Sequence, residues 1–118
     1  MSDVREGAAM LEPGPAARLT IHLSGTALWH HKPVYAEIVH RAHRAGLSGA
    51  SVFHGIHGYE VHLHARREWM ARVSAQGPCA VVIIDHEQRL RDFLAQIEEV
   101  LDVTGIACLD HVEVYRPT

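Results

Sequence analysis

Lysine is nearly absent from this chain of 118 residues: Lys32 stands alone against eleven histidines. The formal charge is −3, with no run of like charge and no basic stripe. Binding nucleic acid by neutralising phosphates is therefore disfavoured. Cysteine is almost as scarce. Cys79 and Cys108 both sit in apolar, strand-like surroundings, so they read as buried thiols and not as a disulfide framework. No apolar run approaches the roughly 20 residues of a membrane-spanning helix. The opening Met1-Ser2-Asp3-Val4-Arg5-Glu6-Gly7 carries mixed charge without the apolar segment of a secretory signal. A soluble cytoplasmic protein, not inserted in membrane, is the expectation. Also missing is a residue set for catalysis. Asp85 reads as a helix cap and Glu98-Glu99 as an exposed helix face, which leaves neither a nucleophile with its base nor paired carboxylates. No enzyme is expected.

What is present suffices for one domain. Hydrophobic residues make up 47% of the chain, and a chain of this length buries about two-thirds of its unfolded surface. Residues 1–17, with Pro13-Gly14-Pro15, read as a disordered or loosely packed tail. From 18 to 23, Leu19, Ile21 and Leu23 alternate with Thr20 and His22, which predicts a half-buried strand. A loop over 24–32 leads to Pro33, suited to a first helical turn. Val34, Ile38, Ala42 and Ala45 recur at helical spacing until Gly46 ends the helix. A second strand is predicted over 50–56, an extension or hairpin arm at 61–64, and a helical turn over 66–74 that turns Trp69, Met70 and Val73 inward. Cys79-Ala80-Val81-Val82-Ile83-Ile84 reads as a central strand covered on both faces. Asp85 with Gln88 makes a capping-box pattern. Leu90, Phe93, Leu94, Ile97 and Leu101 then form the stripe of a second helix, and Val112 and Val114 mark the last strand.

The order β-α-β-β-α-β predicts an α+β ferredoxin-like domain over residues 18–118. Its sheet is four-stranded and antiparallel, with both helices on one face. The other face, expected to carry Val52 and Ile84, is too apolar to remain wet, so assembly with other copies should cover it.

The stretch that organises the chain runs from 45 to 60, with glycines at 46, 49, 55 and 58. Lys32-Pro33-Val34-Tyr35, preceded by Trp29 and followed by Ile38-Val39, is one part of a pattern. Ala45-Gly46-Leu47-Ser48-Gly49-Ala50-Ser51-Val52 and Gly55-Ile56-His57-Gly58-Tyr59 continue it. Pro78, the apolar run, Asp85 and Phe93-Leu94 complete it. Together these motifs resemble the PII-like family known as domain of unknown function 190, across residues 18 to about 116.

The resemblance implies a homotrimeric signalling protein that holds an adenine nucleotide in each cleft between subunits. Gly49 and Ser51 would lie near the base, Gly58 and Tyr59 would lie near the phosphates, and Gly55 is a further candidate for binding the ligand. Glycine N–H groups can cradle an anion there because no Cβ blocks approach. A membrane transporter is a regulated partner that the resemblance also implies. This sequence departs from the family pattern at His54, where an arginine is usual, and at Glu60, where a glycine is usual. A glutamate usual after the first strand is replaced within Ser24-Gly25, and no glycine-lysine loop stands in 105–110. A mononucleotide such as AMP is thus favoured over ATP. An alternative is a CutA-like trimer, by analogy of fold alone. In it His57, His62 and His64, with Glu60, would bind a divalent metal once the imidazoles are neutral, above about pH 6.5.

Overall fold

The computed structural model describes residues 11–56, Gly58, 77–101 and 105–117. Strands β1 (Gly14–Ser24), β4 (Ala50–His54), β5 (Pro78–Asp85) and β6 (Ile106–Val114) form one sheet in the order β4-β5-β1-β6. Every neighbouring pair is antiparallel. Helices α1 (Val34–Arg44), α2 (Glu87–Gln96) and the short α3 (Glu98–Leu101) cover one face. This is the ferredoxin-like plan expected from the order of elements.

The core lies between that face and the helices. Leu19, Ile21 and Leu23 of β1 and Val81 and Ile83 of β5 are fully buried. They pack with Val34, Ile38 and Ala42 of α1 and with Leu90, Phe93, Ile97 and Val100 beside and along the second helical segment. The α1 stripe falls at i, i+4 and i+8, as its periodicity predicts. Its end is a Schellman motif: Leu47 N–H reaches the Ala42 carbonyl at 3.2 Å and Gly46 N–H the His43 carbonyl at 3.1 Å. Gly46 takes φ +76° there, which a Cβ would oppose.

Several boundaries differ from expectation. β1 begins at Gly14, so the described residues 14–17 of the expected tail are strand, paired with 111–114 of β6. Pro15 fits because pairing with β5 starts only at Ala17; at Pro15 the strand has β6 as its single sheet neighbour, and a missing N–H is tolerated at such an edge. β6 starts at Ile106, well before Val112. Ile106-Ala107-Cys108-Leu109 is apolar on both faces and so shows no alternation. The expected single second helix breaks at Ile97, whose φ is −110°. The expected arm at 61–64 and turn at 66–74 lie outside the described residues.

The expected loop 24–32 contains a small hairpin, β2 (Leu28–Trp29) with β3 (Lys32–Pro33). Its two-residue turn is His30-His31, at φ +50° and +68°. A type I′ turn requires positive φ at both positions, where L side chains are strained. The Trp29 ring stacks on His30 at 4.0 Å, and the Arg41 guanidinium lies 4.7 Å from its centroid. Arg41 also donates to Glu37 at 2.7 Å, and that bond holds the Glu37 carboxyl below its usual range against the opposing effect of burial. Replacing His30-His31 by Asn-Gly, the favoured pair for this turn, should raise stability by about 1 kcal/mol. A rise of the thermal midpoint checks it; a fall would show that the Trp29–His30 stack outweighs backbone strain.

The cysteines divide. Cys79 is buried, but Cys108 is exposed on β6, contrary to the expectation of two buried thiols. The reason is register: Cys108 pairs with Thr20 and so shares the sheet face that the helices leave open. Desolvation pushes the Cys79 thiol up to about 11, and the thiolate is the reactive form. Iodoacetamide at pH 8 should therefore label at most one thiol per folded chain and both on unfolding. Two labels on the folded chain would mean that Cys79 is accessible.

Candidate functional site

Gly49 and Ser51 sit at one end of β4. The strand pairs with β5 in the register Ala50↔Ile83, Ser51↔Val82 and Phe53↔Ala80. Residues directly opposite each other share a face. Ala50 and Val52 consequently turn toward the helices with Val81 and Ile83, and both pack on the core. Ser51 and Phe53 turn to the open face. Val52 was expected on that open face; Phe53 takes its place, because the register is set one residue away.

The open face carries a group of exposed apolar side chains. It carries Phe53 at 60% exposure, Ile84 at 36% and Ile106 at 47%, with Ala80 and Val82 between them on β5. Arg18 of β1 and Asp110 of β6 face each other across the same surface, joined at 2.7 Å and 3.2 Å. That pairing raises the Arg18 guanidinium and holds the Asp110 carboxyl low.

The glycines of the site differ in what their own chain asks of them. An added Cβ at Gly55 would meet the Pro78 carbonyl at 3.3 Å, and Gly55 N–H donates to that oxygen at 2.7 Å. Close approach of backbone to backbone accounts for glycine there. Gly58 lies by the Pro78 ring, 3.5 Å from where its Cβ would stand. Gly49 is exposed, has no atom within 4 Å of an added Cβ and needs no unusual φ. Among the described residues, nothing requires glycine at this position.

The loop that delivers Gly49 is anchored by a residue misread as a cap. Asp85, at the end of β5, is 0% exposed. It accepts from Ser48 N–H at 2.9 Å and from His86 N–H at 2.7 Å. Arg89, one helical turn on, stands 3.5 Å from the same carboxylate and donates to the Gly46 carbonyl at 2.7 Å. The Ser48 hydroxyl donates to the Ile84 carbonyl. The residue at the N-cap of α2 is His86, with no side-chain cap, and Gln88 bonds Asp92 instead of completing a capping box. The i, i+4 spacing of Asp85 and Arg89 was the available signal; their shared target, the loop after α1, was not legible.

Tyr59, and the proposed metal ligands His57, Glu60, His62 and His64, lie outside the described residues. Among the described residues, no three of His, Cys, Asp and Glu are grouped to hold a metal ion. Nor is any helix among them long and apolar enough to cross a membrane.

Comparison with known proteins agrees with this architecture. The profile of the family DUF190, described as uncharacterized ACR, matches residues 16–114. A UPF0166 protein of Aquifex aeolicus is 33% identical over 96 residues, covering 81% of this chain and 90% of the relative. The UPF0166 protein of Methanocaldococcus jannaschii is 29% identical over 98 residues, covering 83% and 90%. Among solved structures, CPII of Thiomonas intermedia is a nitrogen regulatory PII-like protein bound to ADP, AMP and bicarbonate. It superposes with a TM-score of 0.63 at 18% identity, over 91% of this chain and 100% of that one. A PII-like signalling protein of Thermus thermophilus gives 0.61 at 18% identity, over 88% and 93%. These likenesses in structure establish a PII-like fold, and the profile match over residues 16–114 makes this protein a member of the DUF190 family.

Proposed function

We propose that the chain is a PII-like regulator, not an enzyme, that assembles as a homotrimer and senses a small cytosolic ligand between its copies. The observation that carries this reading is the placement of Gly49 and Ser51 at the edge of an apolar sheet face that the described residues leave uncovered. A glycine with open space around it suits the close approach of a ligand or a second chain. Geometry favours a cleft shared by two copies. Gly49 and Gly55 flank β4 about 20 Å apart at 3.3 Å per residue, further than one mononucleotide reaches. The two glycine segments would therefore serve one ligand only if they came from different copies.

The ligand class proposed is an adenine mononucleotide. CPII, of the same fold, is recorded with AMP and ADP. Glu60 beside the glycine turn and the lack of any lysine besides Lys32 disfavour a triphosphate, whose added charge would meet a carboxylate and little compensation. The signal would pass to a regulated partner, a membrane transporter in this proposal, through the segment around residues 57–78. Calorimetry tests the ligand: AMP is expected to bind more tightly than ATP, by tenfold or more. Tight ATP binding with none for AMP, or flat traces for both, would overturn the assignment.

A further inference from the structure

The site has a second layer. Asp85 is a fully buried carboxylate, and a buried charge is costly unless paired and hydrogen-bonded. Its partners are not scattered. Ser48 N–H belongs to the loop between α1 and β4, His86 N–H opens α2, and Arg89 stands one turn further along α2. Arg89 in turn grips the same loop from its carbonyl side, at Gly46. One N–H and one carbonyl of a loop of few residues are thus held by opposite charges that also attract each other.

The next residues are Gly49, Ala50 and Ser51. A Cβ added at Gly49 would meet nothing within 4 Å, and β4 is paired on one side only among the described residues. A glycine beside an edge strand loses more conformational freedom on ordering than any other residue. A ligand that bound it in a free loop would have to supply that ordering.

We infer that Asp85 is a positioning residue, and that with Arg89 it forms a clasp presetting the backbone of Gly49–Ser51 before ligand arrives. This rests on the reading of Gly49 and Ser51 as ligand-binding.

The test joins amide hydrogen exchange with AMP titration on the full chain. In Asp85→Asn the charge pair with Arg89 is lost, and the amide group brings a donor against a backbone N–H that needs an acceptor. Exchange at Ser48 is expected to rise at least tenfold, with β1 amides still protected, and AMP affinity to fall about tenfold. Arg89→Gln, at a partly exposed side chain, should move both readouts in the same direction by less; it serves if Asp85→Asn does not fold. Ser48→Ala keeps the backbone N–H bond and should leave exchange at position 48 nearly unchanged.

Unaltered Ser48 exchange in both Asp85→Asn and Arg89→Gln would overturn the clasp. Faster local exchange with unchanged AMP affinity would overturn the positioning role alone. If the unsubstituted protein binds no AMP, the ligand reading falls and the positioning role with it, while exchange at Ser48 still reports whether the clasp exists.

Discussion

Val82→Glu should convert the proposed trimer of 13.1 kDa chains into monomers at micromolar concentration. Val82 lies on the inner strand β5, opposite Ser51 on one side and Thr20 on the other, at the middle of the open face. If copies cover that face, each glutamate is buried without a partner, at a cost of about 3 kcal/mol or more per copy. Three copies share the penalty, so the association constant should fall by several powers of ten. The interface removed should exceed the roughly 1,000 Å² expected of a specific contact. Light scattering checks both states. A trimer that survives Val82→Glu would place the contact elsewhere, and an unsubstituted monomer would remove the trimer and the shared cleft together.

Phe93→Ala is expected to lower folding stability by about 3–5 kcal/mol, the usual cost of emptying a buried aromatic site. Phe93 is 1% exposed and belongs to the cluster that joins α2 to β1. Against a total of about 5–15 kcal/mol for a domain, the substitution should leave the protein barely folded at 37 °C. Leu94→Ala is the control, since Leu94 is only partly buried and should cost clearly less. Urea midpoints at one protein concentration decide it, because the proposed assembly would make stability depend on concentration. Equal losses for the two would mean that α2 packs on the sheet by another face.

Interaction between near neighbours in sequence made much of the fold legible. Val34, Ile38 and Ala42 declare their helix, Gly46 its end, and Leu19, Ile21 and Leu23 their strand, because each pattern is enforced by the backbone period of its own element. The order of those elements then restricts topology to a few choices, and the family pattern added the glycines at 49, 55 and 58.

Tertiary structure decided what depends on register and on distant partners. Cys108 and Val52 exchange burial relative to expectation because one residue of register reverses a face. Asp85 looks like a cap from its own neighbourhood. It is an anchor because folding brings Ser48, 37 positions away, to its carboxylate. Gly49 has open space only once β4 is known to lie at a sheet edge, and that edge exists only because β5 inserts between β4 and β1. Local periodicity determined which residues enter the core. The pairing of strands far apart in the chain, a property no short window contains, determined which residues were left facing out.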